Sequence, residues 1–450
     1  MTFPAYPEYK ESGVEWLGKI PASWEIIPLS KIATSSGGLF IDGDWIESKD
    51  LSSTGIRYLT SGNVGAGSYK EQGLGYISEE KFTELRCVEV FPNDILISRL
   101  NLPIGRSCLV PDLGERIVTC VDNVICRPSA EYERGFLVYL LSSEQHFANM
   151  ELLGRGATMQ RISRSILGNV RFPVPTVGEQ KFIASFLDHE TKNIDELIHE
   201  QEQLIELLNE KRQSIISNAV CRGLDPSVQM KDSGVEWLGM VPEHWQIEKI
   251  GSVATIEGGG TPSKDNLEYW NGEIPWVSPK DMKFDAITST EDCITPLALA
   301  SSASKLIPEK TVLIVVRSGI LKHTIPVAIN AVPVTLNQDM KALNFGSVEL
   351  NEFFFHFVYG MKDGLLHAWS KQGATVESLE TNLILKTLFP KPKSDELKSI
   401  NQFLRSVKFQ FQELIDTSRL AITQLEERRS ALISAAVTGQ IDVRNFQPRT

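Results

Sequence analysis

The sequence predicts an α+β protein with two mixed, β-rich domains, two long helices and an internal pseudo-two-fold repeat. Three observations lead to this prediction. A tryptophan-containing segment occurs twice, a helical pattern of apolar residues follows each occurrence, and the stretches between them hold short apolar runs and glycine-rich turns. The chain has 450 residues, of which 42% are hydrophobic and 23% charged. This composition is typical of soluble globular proteins, and the length exceeds one ordinary core.

The repeat begins at residues 10–18 (KESGVEWLG) and again at residues 231–239 (KDSGVEWLG). A second match pairs Gly-Ala-Thr at 156–158 with Gly-Ala-Thr at 373–375, and Phe-Pro at 172–173 with Phe-Pro at 389–390. The chain is therefore two tandem copies of one unit, and each copy has a leader, a variable insert and a helix.

The repeat sets the predicted domain bounds. Residues 1–175 hold the first leader and insert, 176–222 the first helix, 223–392 the second leader and insert, and 393–450 the second helix and tail. The leaders share Trp16, Trp24, Trp237 and Trp245. Because identical aromatic residues accompany unlike inserts, we expect these tryptophans to serve the frame or a common partner.

The helices are predicted from an apolar stripe at a 4-3 spacing, which runs from about residue 178 to 221 and recurs in the second copy. In the first copy it comprises Ile194, Ile198, Ile205, Leu208, Ile215 and Ala219. Two interpretations remain open. The stripes bury each other, or the pair is also a spacer that fixes the distance between the inserts and docks a partner on its remaining face.

Several functions are disfavoured by motifs that the sequence lacks. It contains no P-loop, His-Glu-x-x-His, Gly-x-Ser-x-Gly or Asn/Asp-Pro-Pro-aromatic pattern. The six cysteines have no Cys-x-x-Cys spacing, so we expect free thiols. We therefore expect no catalysis, no metal and no cofactor. No apolar segment has signal-peptide or membrane-spanning length, which predicts a cytoplasmic protein without a membrane partner. A net charge of −12 does not by itself suggest nucleic acid.

The leaders, the Gly-Ala-Thr segments and the helices that follow them resemble the specificity subunit of a type I restriction-modification system. The resemblance covers essentially the whole chain. In the second insert it is carried by residues 258–264 (GGGTPSK), 274–281 (IPWVSPKD), 317–319 (RSG) and 336–338 (LNQ). In the first insert, residues 35–40 (SSGGLF) take the place of the Gly-Thr-Pro-Ser loop, and Asp122-Asn123 takes the place of Asn337-Gln338.

The resemblance implies a non-catalytic protein that recognises double-stranded DNA. Each insert would be a target-recognition domain for one half of a bipartite, asymmetric sequence. The two long helices would be antiparallel, would separate the two domains and would set the gap between the halves. The subunit would recruit two methyltransferase subunits and, through the assembled complex, endonuclease/translocase subunits. Methyl transfer and cleavage would belong to those partners.

Candidate DNA contacts are arginines that follow apolar runs, polar residues after glycines, and the basic stretch 152–172. Arginine can bind guanine bidentately in the major groove, and glycine loops can approach phosphates. An arginine paired with a core carboxylate, or a simple turn, would explain the same patterns. In the first copy the candidates are Ser36, Gly37, Arg57, Asn63, Arg99, Asn101, Arg106, Arg155, Thr158, Gln160, Arg161 and Arg164. In the second they are Thr261, Ser263, Lys264, Ser278, Lys280, Arg317, Ser318, Lys322, Asn337, Gln338, Lys371 and Thr375.

Two other functions remain as alternatives. The chain could be a non-catalytic coiled-coil scaffold with two protein-binding β-rich domains, in which case its complexes would show no salt-dependent binding to duplex DNA. An enzyme, such as a fused nuclease or methyltransferase, would turn over substrate as an isolated chain.

Overall fold

The computed structural model describes residues 3–154, 160–371 and 376–446. The chain divides into two compact units. The first comprises Met1–Gln201 and Leu420–Thr450, and the second comprises Glu202–Arg419. Each unit therefore takes its residues from both halves of the chain.

The first unit contains short strands and helices, followed by the start of a long helix. Its strands are β1 (Tyr9–Glu11), β2 (Lys19–Pro21), β3 (Glu25–Pro28), β4 (Leu39–Asp42), β5 (Leu51–Ser52), β6 (Ile56–Leu59), β7 (Tyr76–Ile77), β8 (Ile95–Ser98), β9 (Ser107–Leu109), β10 (Ile117–Thr119), β11 (Asn123–Arg127) and β12 (Arg171–Val174). Its helices are α1 (Leu29–Thr34), α2 (Glu79–Glu84), α3 (Arg134–Leu140), α4 (Glu144–Leu153), α5 (Arg164–Asn169) and the first part of α6 (Val177–Arg222).

The second unit repeats this order of elements. Its strands are β13 (Met230–Asp232), β14 (Met240–Pro242), β15 (Gln246–Lys249), β16 (Thr255–Gly258), β17 (Trp270–Val277), β18 (Ala286–Ile287), β19 (Asp292–Ile294), β20 (Val312–Val315), β21 (Val327–Asn330), β22 (Thr335–Leu336), β23 (Met340–Asn344) and β24 (Leu388–Lys391). Its helices are α7 (Ile250–Val253), α8 (Pro296–Ser301), α9 (Val348–Gly360), α10 (Lys362–Trp369), α11 (Thr381–Lys386) and the first part of α12 (Ser394–Val437). The rest of α6 also belongs to the second unit, and the rest of α12 belongs to the first.

The two inserts share one sheet topology although their sequences differ. The first has the strand order β4-β11-β8-β9, and the second has the order β16-β23-β20-β21 with β18 added at the edge. A second sheet has the order β10-β6-β7-β5 in the first insert and the order β22-β17-β19 in the second. The central strands β8 and β20 are buried along their whole length, which explains why both appear in the sequence as short continuous apolar runs.

The leaders belong to the frame, as predicted. Trp24 and Trp245 are fully buried, and each donates its indole N–H to a carboxylate in the first turn of a long helix. Trp24 bonds Glu179 of α6 at 3.1 Å, and Trp245 bonds Glu396 of α12 at 2.9 Å. In both copies, the leader is therefore tied to the first turn of a long helix by the same tryptophan–glutamate hydrogen bond.

The long helices α6 and α12 have 46 and 44 residues, or roughly 65–70 Å each at 1.5 Å per residue. In the first unit, Arg429 of α12 lies 3.0 Å from Asp195 of α6. In the second unit, Arg212 of α6 contacts Gln412 of α12 at 3.4 Å. A Cβ at Gly223, which directly follows α6, would meet Glu396 near the start of α12 at 2.9 Å. In the second unit, later residues of α6 therefore meet earlier residues of α12, and the helices pack antiparallel, as predicted. Within the described ranges, no helix is long and apolar enough to cross a membrane.

Candidate nucleic-acid interface

In the second unit, the predicted segments meet where β16 and β20 end and β23 begins, and we call this side of the sheet the arginine edge. The glycine loop is held there by side chains. The Thr261 hydroxyl contacts the Gln338 side chain, and the indole N–H of Trp270 donates to the carbonyl of Ser263 at 3.1 Å. Thr261, Ser263, Lys264 and Gln338 are all exposed. The loop therefore presents hydroxyl, amide and ammonium groups to solvent.

Arg317 and Ser318 lie next to this loop. Arg317 Nε is 2.9 Å from Asp339 Oδ1, and the arginine side chain is 58% exposed. The Ser318 N–H donates to the carbonyl of Glu377, and the Lys371 N–H donates to the carbonyl of Ser378. These bonds bring the predicted segments around 317, 338 and 371 together.

The lysines of this edge differ in their partners. Lys264, Lys322 and Lys371 are exposed, and no ion pair joins them to any residue of the described ranges. Lys280 instead pairs with Glu291 at 3.0 Å and Asp292 at 2.9 Å, and these carboxylates raise its pKa above the ordinary value. Three lysines are thus available to an anion, while Lys280 is already neutralised.

Ser278 and Asn337 serve the backbone of the edge. The Ser278 hydroxyl donates to Asp281 at 2.8 Å, and the Asn337 side-chain oxygen accepts the N–H of Asp339 at 3.0 Å. Both residues are buried. The structure therefore gives them a positioning role.

The first unit has an equivalent arginine edge, where β4 and β8 end and β11 begins. Arg161 is 48% exposed at the side chain and lies 3.0 Å from Asp122. Arg164 lies 3.4 Å from Asp42 and lines a cleft of about 490 Å³ beside the edge. Asn101 is exposed and donates its N–H to the carbonyl of Gln160 at 3.1 Å, so the basic stretch is joined to the loop after β8.

Arg99 lies beneath this surface, with only 5% of the residue exposed. Its guanidinium donates to the carbonyls of Ile162 and Val121, and it lies 3.1 Å from Asp42. Burial lowers the pKa of Arg99, opposed by the charge of Asp42, and the group stays protonated in a protein. Arg99 therefore fastens three segments of the edge from within, as in the core-carboxylate alternative.

Three further candidates in the first unit are also engaged by the protein. Arg57 is 3% exposed and bonds Glu71 at 2.5 Å. Asn63 is buried and donates to two backbone carbonyls. Arg106 donates to the carbonyls of Val64, Ser61 and neighbouring residues of its own loop. The hydrogen-bond donors of these three side chains are used within the protein and stabilise the fold of the insert.

Ser36 and Gly37 lie away from the arginine edge. They precede β4, whose first residue Leu39 pairs with Arg127 at the far end of β11. The predicted correspondence between residues 35–40 and the glycine loop of the second insert is therefore wrong. The register of the sheet instead aligns Gly258-Gly259-Gly260 with Asp42-Gly43-Asp44. The N–H of Asp44 donates to Thr119 as that of Gly260 donates to Leu336.

The same register corrects a second correspondence. The N–H of Arg99 donates to the carbonyl of Asp122, and the N–H of Val316 donates to the carbonyl of Asp339. Asp122 is therefore equivalent to Asp339, and not to Asn337 as predicted. Neither aspartate is among the contacts predicted from the sequence, although each directly precedes an apolar strand, β11 or β23, and such a position can be recognised in a sequence.

Three candidates, Arg155, Thr158 and Thr375, lie outside the described residues. In the part of the chain that the structure describes, no group of His, Cys, Asp and Glu side chains could hold a metal ion.

The fold thus defines a duplicated α+β protein in which each of two like inserts presents an edge of arginine and polar residues. A family model described as the type I restriction modification DNA specificity domain matches residues 21–207 and 242–424. The chain therefore belongs to the family of type I restriction-modification specificity subunits.

Curated relatives include specificity subunits, and solved structures share the fold. The specificity subunit of the type I restriction enzyme EcoR124I/EcoR124II from Escherichia coli is 38% identical over 181 residues, a match that spans 40% of this chain and 42% of that relative's length. The MjaIX specificity subunit from Methanocaldococcus jannaschii is 24% identical and covers 97% of both chains. A chain from a study of complex assembly in a type I restriction-modification system covers 93% of this chain and 98% of its own length, with a TM-score of 0.67 at 15% identity. The HsdS subunit from Thermoanaerobacter tengcongensis covers 94% of this chain and 98% of its own length, with a TM-score of 0.50 at 15% identity.

Proposed function

We propose that this chain recognises a bipartite, asymmetric sequence in double-stranded DNA, with one half bound by the insert within residues 1–175 and the other by the insert within 223–392. The observation that carries the proposal is the pair of arginine edges, which occupy the same place in two inserts of one topology. Two sites with equivalent backbones and different side chains suit two half-sites of different sequence. Residues 176–222 and 393–450 supply the spacer helices and the tail.

The exposed groups of the two edges are the proposed DNA contacts. They comprise Arg161, Asn101, Thr261, Ser263, Lys264, Arg317, Lys322, Gln338 and Lys371, together with the half-buried Arg164. Arg57, Asn63, Arg99 and Arg106 support these contacts from within the insert. Because the chain as a whole carries a net charge of −12, we expect it to bind DNA weakly until its partners add their own contacts.

Methyl transfer and cleavage belong to partner subunits in this proposal, and the chain itself needs no cofactor. It recruits two methyltransferase subunits and, through the assembled cytoplasmic complex, the endonuclease/translocase subunits. The repeated leaders support this stoichiometry. Trp16 packs on Phe172 and Trp237 on Phe357, and both indoles remain partly exposed. Two like frames can bind two copies of one partner.

The test is to co-express the chain with its methyltransferase partner and to sequence the methylated genome. We expect one two-part adenine motif. A single continuous motif, or no motif, would refute the proposal.

A binding measurement separates this function from that of a protein scaffold. The affinity of the assembled complex for its duplex should fall as the salt concentration rises. In a plot of the logarithm of the binding constant against the logarithm of the salt concentration, the slope should become shallower by about one unit when a phosphate-binding lysine is removed. Lys322→Gln removes an exposed charge after β20 at the arginine edge, and Lys310→Gln removes an exposed charge before β20 at its other end. Only the first variant should reduce the salt dependence. A scaffold would show no salt-dependent binding with any variant.

A further inference from the structure

We propose that Arg161 and Arg317 are the matching specificity-determining arginines of the two inserts, and that Asp122 and Asp339 are their positioning residues. The inference rests on the proposed recognition of DNA and names the side chains that carry it. It follows from the register of the two edges, since no identical sequence motif surrounds the two arginines.

Both edges contain the same isolated bridge between the loop after the central strand and the segment that follows the Gly-Ala-Thr sequence. In the first unit Leu100 pairs with Arg161, and in the second Arg317 pairs with Ser378. The flanking bonds match, because Ile162 donates to the carbonyl of Arg99 as Leu379 donates to the carbonyl of Val316. The exposed arginine therefore belongs to the segment after the Gly-Ala-Thr sequence in the first insert, and to the loop after the central strand in the second.

The aspartate stays in place while the arginine changes sides. Asp122 and Asp339 occupy equivalent positions directly before β11 and β23. Arg161 Nη2 lies 3.0 Å from Asp122 Oδ1, and Arg317 Nε lies 2.9 Å from Asp339 Oδ1. The two inserts therefore form equivalent arginine–aspartate pairs, although the arginine comes from a different segment in each insert.

In the second insert the contact orients Arg317 through Nε, whereas in the first insert Arg161 meets Asp122 through Nη2, which leaves its Nε and Nη1. Asp339 Oδ1 accepts no aligned hydrogen bond from the described residues, so the pair is a contact between charges. Because the contact involves Nε, the two terminal nitrogens of Arg317 have no hydrogen-bond partner among the residues that the structure describes. A guanidinium fixed in this way can donate two parallel bonds to guanine.

Stability alone does not explain the pairs. The arginine of each pair is about half exposed, at 48% and 58%, while the aspartate is 27% and 20% exposed. Solvent at the arginine screens the charge and weakens what the pair contributes to folding. A carboxylate at a DNA-binding surface also repels phosphates, so it is tolerated where it orients a cation. Arg99 provides the contrast, because it is only 5% exposed and both of its terminal nitrogens donate to backbone carbonyls.

The test uses the complex of the full chain with its methyltransferase subunits. The probe is the duplex motif obtained by methylome sequencing of the wild-type complex, together with its single-base variants. For Arg317→Ala and Asp339→Asn, we expect discrimination to fall about tenfold or more at the same base position of one half-site. Arg161→Ala and Asp122→Asn should do the same at one position of the other half-site.

Each variant contains its own control, because the half-site bound by the unchanged insert should keep full discrimination. Arg116→Ala is the matched control for an exposed arginine. Arg116 pairs with Glu79 and Glu89 and precedes β10, whose other end faces the arginine edge, so its loss should leave both half-sites unchanged. The aspartate-to-asparagine variants keep the size and shape of the side chain, which limits loss by misfolding.

The outcomes separate this inference from the proposed function. If the wild-type complex yields no two-part motif, the proposed function fails. If the wild-type motif is present and the aspartate variants keep full discrimination, the inference is overturned. It is also overturned if the variants weaken methylation of all sequences equally, since a purely structural pair would act in that way.

Discussion

Glu179 accepts two hydrogen bonds from buried donors, and its replacement should destabilise the first unit severely. The carboxylate binds the Tyr6 hydroxyl at 2.7 Å and the Trp24 indole N–H at 3.1 Å. Burial, together with this neighbouring carboxylate, raises the pKa of Tyr6, so its hydroxyl stays protonated and donates. Glu179→Ala would leave both donors buried without an acceptor.

The structure allows the size of the effect to be worked out by comparing the two copies. A hydrogen bond to a charged group contributes about 1.5–3 kcal/mol, so the loss of two predicts about 3–6 kcal/mol for Glu179→Ala. Glu396 accepts one bond from buried Trp245 and one from exposed His244, which water can replace. Glu396→Ala should therefore cost about half as much, roughly 1.5–3 kcal/mol. Glu179→Gln keeps an acceptor oxygen and should cost less than Glu179→Ala.

The assay is equilibrium unfolding in guanidinium chloride, with hydrogen exchange of the Trp24 and Trp245 peptides to assign each transition to its unit. The reasoning would be refuted if Glu179→Ala cost less than about 1 kcal/mol. It would also be refuted if Glu396→Ala destabilised its unit as much as Glu179→Ala does.

Three further predictions concern glycine, histidine and cysteine residues. A Cβ at Gly259 would overlap the carbonyls of Leu336 and Asn337. Gly259→Ala should therefore abolish discrimination at one half-site in methylome sequencing, while Gly319→Ala, whose Cβ meets no atom, should not. Burial lowers the pKa of His146 to about 4 from about 6.5 in the unfolded chain. Burial of the neutral His146 ring therefore costs no proton-linked stability above pH 6.5, and this cost grows as the pH falls toward 4. Between pH 7 and pH 5, the free energy of unfolding of the wild type should fall by roughly 2 kcal/mol more than that of His146→Gln. Equal pH dependence of unfolding in the two proteins would contradict this. Of the six cysteines, Cys293 alone is not buried, so mass spectrometry should find rapid alkylation there and slow alkylation at the other five.

The frame could be predicted from the sequence because the same residues perform the same task twice. The tryptophans at 24 and 245 recur with their glutamate acceptors at 179 and 396, and the apolar stripe gave helix bounds of about 178 to 221 against the observed Val177–Arg222. Local hydrogen bonds and a helical period both leave a repeated pattern in the sequence. Fold class and the family followed from those patterns.

The inserts could be predicted only as β-rich, because backbone hydrogen bonds preserve their common topology and side chains do not. The glycine correspondence illustrates the difference. Residues 35–40 resemble the second glycine loop in composition, but Gly43 is the true counterpart of Gly259. At both positions a Cβ would overlap backbone carbonyls of the neighbouring strand's end. Only the register shows which glycine the fold requires.

The arginines show why the candidate site could be located in part and not residue by residue. Arg99 and Arg317 both follow apolar runs, and from the sequence they appear equivalent. The structure places them one position apart, since Arg99 corresponds to Val316. Because side chains alternate between the two faces of an extended strand, this single step turns Arg99 inward and Arg317 outward. The first insert instead presents its exposed arginine from the neighbouring segment, at Arg161, beside the same aspartate. Position along the backbone, and not likeness of local sequence, therefore decides which arginine can reach a ligand.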